Sequence, residues 1–277
     1  MEPLFWPNAG QLPVRNLRRK LKCGQIFWRE IGRGQTVVFL HGSWCDGDQW
    51  SDVLTQLGQR YHCLAPDLIG FGESERLRKK AAYSIAMQVA TLAELLESLR
   101  LKSVVLVGHS LGAWVAASYA LKFPEQVKGL CVLAPEGLVY QPKRWRQDRW
   151  LVSSLGGLWL SITKPFARKS EPGRPSTWLK KHRRRQLLRR YSAACRLLFQ
   201  RRHRVLAPEI TSSLAGLSMP MVALQGERAG ETCQQLTRLF TVAAPSAVVK
   251  TLPGDDELPS YQAEAIADFL EHWLSVI

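Results

Sequence analysis

The sequence predicts an α/β fold: a mostly parallel central sheet with helices on both faces and an inserted helical segment. Three observations predict it. Short β-branched apolar runs alternate with longer stretches of helical periodicity, which is the rhythm of βα units. One of these runs, Ser103-Val104-Val105-Leu106-Val107, passes through Gly108-His109-Ser110-Leu111-Gly112 straight into an Ala-rich helical pattern. The rhythm breaks once, over residues 138–215, and then resumes. That pattern is an insertion within one domain, not a second domain placed in series.

The elements follow in order. Residues 14–22 are basic, and 23–31 read as an early strand. Residues 35–40 are a buried strand delivering His41-Gly42-Ser43. Residues 48–57 start a helix with Asp48 as N-cap, and 64–66 end the next strand. Ile85, Val89, Leu92, Leu95, Leu96 and Leu99 fall at helical spacing behind Ser84, a second N-cap. The run ending at Ser110 has the β-branched composition of a strand buried on both faces. Residues 127–134 are another such strand. After the insertion, 219–225 and 247–252 read as strands, 231–240 as a helix, and 261–276 as a closing amphipathic helix.

Length and composition bound the reading. At 277 residues and 46% hydrophobic, the chain supports one large core. The core domain is assigned to 1–137 and 216–277, and a basic helical cap to 138–215. Residues 1–11 lack the basic and apolar regions of a secretory signal. No run of eighteen apolar residues suggests a membrane span. The six cysteines (23, 45, 63, 131, 195, 233) are scattered and read as buried free thiols. The expected location is cytoplasmic, peripheral on a membrane surface.

Gly108-His109-Ser110-Leu111-Gly112 is a G-x-S-x-G elbow in a strand–turn–helix setting. So tight a turn needs residues without bulk two places either side of the serine. The helix behind it offers a positive N-terminus to a developing oxyanion. Together with His41-Gly42-Ser43 and Pro66-Asp67-Leu68-Ile69-Gly70-Phe71-Gly72-Glu73-Ser74, the elbow resembles the α/β-hydrolase fold superfamily over residues 20–137 and 216–277.

The resemblance implies Ser110 as nucleophile and the backbone N–H groups of Ser43 and Leu111 as the oxyanion hole. It implies that His41 only braces its loop. It also implies a histidine base in the loop after the last strand. Here that loop reads Pro253-Gly254-Asp255-Asp256-Glu257-Leu258-Pro259, so Glu257 stands in the histidine's place. The usual acid position holds Ala229, which leaves Glu136, in Ala134-Pro135-Glu136-Gly137, as the best acid candidate beside Glu227 and Glu231.

Of the other histidines, His62 opens a strand at its far end, His272 lies on the closing helix, and His109 should point away from Ser110. His182 and His203 belong to the insertion. A carboxylate of pKa ~4.3 is a poor direct base for a serine hydroxyl unless burial raises it strongly. Losing a triad member costs roughly 10⁴ to 10⁶ in rate. The expectation is therefore a serine hydrolase of ester or lipid-acyl type, weak or atypical, with Ser110, Glu136 and Glu257 as its catalytic candidates. The alternative is a non-catalytic member that binds an apolar ligand or a partner. No cofactor or metal is expected, and Asp255-Asp256-Glu257 reads as a solvated loop.

The insertion is the second informative stretch. Residues 140–206 hold 19 Lys and Arg against Asp148 and Glu171, net +17, while the rest of the chain is net −2. The insertion also carries Trp145, Trp150, Trp159 and Trp178 and an apolar run over 151–162. Leu187, Leu188, Tyr191, Ala194 and Leu198 recur on one face of 178–206. Basic amphipathic helices with tryptophans suit an anionic membrane surface. Nucleic acid or an acidic protein is the competing partner. A cap that merely packs on the domain is the plainest alternative. Under the cap, the pocket's expected occupant is an apolar small molecule or acyl ligand.

Overall fold

A computed structural model describes residues 12–77, 83–138, 150–151, 153–163, 177–190, 193, 210, 213–255 and 257–277. Its strands are β1 (Arg15–Leu21), β2 (Gly24–Ile31), β3 (Thr36–Leu40), β4 (His62–Asp67), β5 (Val104–His109), β6 (Val127–Leu133), β7 (Met221–Gly226) and β8 (Val248–Leu252). Among the described residues they form one sheet in the order β1-β2-β4-β3-β5-β6-β7-β8. β2 runs antiparallel to both β1 and β4, and every other pairing is parallel.

The helices are α1 (Ser51–Leu57), α2 (Ile85–Ser98), α3 (Leu111–Lys122), α4 (Ser154–Thr163), α5 (Thr177–Arg190), α6 (Glu231–Ala243), α7 (Leu258–Tyr261) and α8 (Ala263–Leu274). Alternate strand residues feed two cores. Val38, Leu40, Val104, Leu106 and Val132 pack with α2, α3 and α6 on one face. Val37, Phe39, Val105, Val107 and Cys131 pack with α1 and α8 on the other. Continuous apolar strands result, because neither face meets water. Each fully buried Val, Leu or Phe contributes roughly 1.5–3 kcal/mol.

The winding direction reverses at β3. The chain goes from β3 to β4 on one side, then crosses back to place β5 on the other. Such a switch point opens a crevice beyond the carboxyl ends of the two strands. β3 and β5 pair from Thr36↔Val104 to Leu40↔Gly108, so their ends arrive together. One end delivers His41-Gly42-Ser43 and the other Ser110.

Several expectations are corrected. Residues 15–21, basic as read, also form an edge strand that the sequence reading does not assign. The first helix is preceded by a 3-10 turn, Gly47–Trp50, capped by the Asp46 side chain on the Asp48 N–H. Asp48 instead accepts from the Ser51 hydroxyl at 2.8 Å. The closing helix is split, with Gln262 between α7 and α8. Ser84 does cap α2, accepting from the Met87 N–H at 3.1 Å. Cys63, Cys131 and Cys233 are buried, whereas Cys23 and Cys45 are half-buried. Cys195 lies outside the described residues.

Of the insertion, α4 and α5 are described in part. Trp145, Tyr191, Ala194, Leu198 and His203, and the side chains of Trp178 and Leu187, lie outside the described residues. Leu151, Leu160 and Leu188 bury one another against Trp44 of the core. The Arg184 guanidinium lies 4.8 Å from the centre of the Trp44 ring. Among the described residues no helix is long and apolar enough to cross a membrane.

Candidate active site

The elbow is built by close approach. Ser110, at the N-cap of α3, has φ 53° and ψ −113°, a conformation that costs an L-residue on the order of 1–3 kcal/mol. Four backbone contacts hold it there. Its N–H donates to Leu133 O at 2.8 Å, and its carbonyl accepts from Ala113 N at 3.1 Å, Trp114 N at 3.2 Å and Glu136 N at 3.3 Å. A Cβ on Gly112 would lie 2.2 Å from Leu40 O, and one on Gly108 2.6 Å from Ala113 N. Both glycines are dictated by neighbouring backbone.

The β3 loop is braced as expected. The buried His41 ring accepts from the Leu68 N–H at Nε2, 3.0 Å, which leaves the proton on Nδ1, donated to Gly42 O at 2.9 Å. Burial holds this ring's pKa below the usual value, in keeping with a neutral bracing role. Gln49 accepts from the Gly42 N–H at 2.9 Å and donates Nε2–H to His109 Nδ1 at 3.0 Å, which turns His109 toward the loop. Asp67 anchors the neighbouring turn. It accepts from Gly47 N and Glu73 N, both at 2.7 Å, and pairs with Arg29 at 3.0 Å. Among the described residues, no hydrogen bond consumes the N–H of Ser43 or Leu111.

Ser110, Ser43 and Glu136 meet. Ser43 Oγ lies 3.2 Å from Ser110 Oγ and donates to Glu136 Oε2 at 3.0 Å. Either hydroxyl can be the donor in the Ser43–Ser110 contact, and both serines lie within reach of the carboxyl. Ala134, with φ 46°, turns the chain after β6 so that Glu136 doubles back over the elbow. Burial pushes the Glu136 carboxyl up to about 7, opposed by hydrogen bonds from Ser43 and Ser110.

Sequence reasoning identifies Glu136 but gives it no partner without a histidine. It assigns Ser43 only a backbone donor and misses the hydroxyl that joins the two. A serine immediately after His41-Gly42 is the available signal.

The Glu257 side chain is exposed at the start of α7, and among the described residues the contacts that join Ser110, Ser43 and Glu136 do not include it. Its charge is felt at Cys45, whose thiol burial, then Glu257, then Asp46 push up to about 12. Ala229 is buried in a turn after β7, with Glu227 and Glu231 exposed around it. His62 pairs with Glu30 at 3.1 Å, His272 is on α8, and His182 is on α5. Among the described residues, no histidine nitrogen hydrogen-bonds to Ser110 Oγ.

A serine of strained backbone sits at a switch point, beside a second serine and a buried carboxyl. Comparison with known proteins agrees with that architecture. The model of the alpha/beta hydrolase family matches residues 37–269, which is most of the chain. This chain belongs to the alpha/beta hydrolase family.

Within the family, one relative is Lipase 1 of Psychrobacter immobilis, 35% identical over 134 residues, 47% of this chain and 41% of that protein. Another is the 2-hydroxy-6-oxo-2,4-heptadienoate hydrolase of Pseudomonas putida, 32% identical over 118 residues, 40% of this chain and 41% of that one. These matches span about two fifths of each relative's length. Among solved structures, a membrane phospholipase A superposes with a TM-score of 0.71 over 95% of this chain and 86% of that one. At 21% identity this likeness speaks to the fold alone.

Proposed function

We propose that this alpha/beta hydrolase family member is a slow carboxylic-ester hydrolase in which Glu136, not histidine, is the general base for Ser110. The observation carrying this reading is the contact chain Ser110–Ser43–Glu136, ending on a carboxyl raised to about 7. A base works best when its pKa lies near the working pH. Ionised Glu136 draws a proton from Ser110 through the Ser43 hydroxyl as Ser110 Oγ bonds to the acyl carbon. The N–H groups of Ser43 and Leu111 receive the oxyanion. On collapse the ester C–O bond breaks, and Glu136 returns the proton to the departing alkoxide. Water then enters by the same steps in reverse and frees the acid. The hydrolase and lipase names among the relatives support an acyl substrate class.

The test is kcat/KM for p-nitrophenyl butyrate against pH, with fluorophosphonate labelling. Turnover should be slow, lost in Ser110→Ala, and lowered about 10²–10⁴-fold in Glu136→Gln. It should rise with pH, half-maximal near 7, because the ionised carboxylate is the active form. Turnover indifferent to Ser110→Ala, with no labelling, would replace this reading with a non-catalytic ligand-binding one.

A further inference from the structure

We propose that the outer face of α4 and α5 docks on an anionic lipid bilayer. In α4, Leu155, Leu158, Trp159 and Ile162 recur at the i, i+3, i+4, i+7 spacing that puts them on one face. That face is turned to solvent: Leu155 is 71% exposed, and Leu158 and Ile162 are each 59% exposed. Trp150, also exposed, meets Trp159 edge-on with ring centres 5.5 Å apart and extends the patch. The opposite side of α4, with Gly156 and Leu160, is the one used for packing. The helix is therefore apolar on both its buried and its solvent side, which a helix of a freely soluble domain avoids.

The neighbouring α5 supplies the charge, with seven Lys and Arg and no acid in fourteen residues. These cations divide by task. Arg185 donates to Leu151 O and, at 3.0 Å, to Ser153 O, tying α5 to the start of α4. Arg184 faces Trp44 of the core. Lys181 lies 4.6 Å from the centre of the Trp159 ring, bringing a cation to the edge of the apolar patch. Arg183 and Arg189 are exposed.

An apolar stripe that enters acyl chains, a tryptophan at its border and cations beside it match an interfacial helix pair. Nucleic acid would use the charge and have no use for three exposed aliphatic side chains. This inference does not rest on the hydrolase reading.

The test is co-sedimentation of the full chain with phosphatidylglycerol/phosphatidylcholine vesicles and with pure phosphatidylcholine vesicles. Affinity for the anionic vesicles should exceed that for the neutral ones by ten-fold or more. It should fall steeply from about 0.1 M to about 0.5 M salt without vanishing, since screening removes only the charge contribution. The Leu155→Ser/Leu158→Ser/Ile162→Ser variant alters solvent-exposed positions, so its fold is checked by circular dichroism, and it should lose the salt-resistant part. The Arg183→Gln/Arg189→Gln variant should weaken low-salt binding by roughly ten-fold or more, since each cation near such a surface is worth roughly five-fold. Ser110→Ala should bind vesicles like the native chain, which separates this test from that of the hydrolase. No binding to anionic vesicles, or binding untouched by the aliphatic variant, overturns the proposal. Tight binding of a short RNA in place of vesicles, with a steep salt slope, would assign the face to nucleic acid.

Discussion

Glu136 carries a cost that can be read against pH. Its carboxyl stays protonated in the fold up to about 7, against 4.5 when unperturbed. Near pH 4 and below it is neutral in both states and burial costs little. Between those two values the unfolded chain releases the proton first, so folding stability declines as pH rises. Above about pH 7 the full penalty, about 3 kcal/mol, applies. Glu136→Gln keeps the shape and cannot ionise. It should match the native chain in urea stability near pH 4 and exceed it by up to about 3 kcal/mol near pH 8. Equal curves at both pH values would show that the carboxyl is not held neutral by burial. The sequence points to Ser110 through the elbow motif and to Glu136 as the acid left once Ala229 holds the usual place, and the two meet in the fold. The shifted carboxyl and the Ser43 bridge are not legible there, because they depend on burial and on a contact between residues 93 apart in the chain.

The elements show the same division. β3, β5, β6 and β7 announce themselves because both faces are buried and every side chain must be apolar. β1 does not, because only Leu21 of its seven residues is buried. Its place is set by pairing with β2, and ion pairs such as Lys20–Glu75 at 2.8 Å pin it from outside. The elbow's glycines are legible too, and the distances say what they resist. In Gly112→Ala the new methyl would meet the carbonyl oxygen of Leu40, in the strand next door. That collision should lower stability by about 3 kcal/mol or prevent folding. Gly216→Ala, where an added Cβ meets nothing within 4 Å, is the control. It should be neutral or raise stability by about 0.4–1 kcal/mol through the unfolded chain. If Gly112→Ala matches that control in urea denaturation, the turn is looser than its contacts imply.

At the scale of the whole molecule, charge is partitioned, with net +17 in residues 140–206 and −2 elsewhere. By Coulomb attraction alone, the insertion is the part of the chain drawn to an anionic surface. The net +15 adds repulsion between copies of the chain. Among the described residues, the sheet that organises the core nevertheless ends in two border strands of different character. β1 carries Arg15, Arg18, Arg19 and Lys20. β8 has Val248 and Val249 exposed and Lys250 as its one charge. A bare strand of this kind offers a template for a second copy, and a single lysine is a common device against such stacking. Lys250→Val would extend the Val248-Val249 pair into an uncharged β-branched run along that border. Light scattering during mild heating should then show aggregates well below the native chain's onset temperature. Unchanged clarity would mean that overall repulsion suffices. On this view Lys250, three strands away from β5 and its Ser110, guards the solubility of the entire molecule.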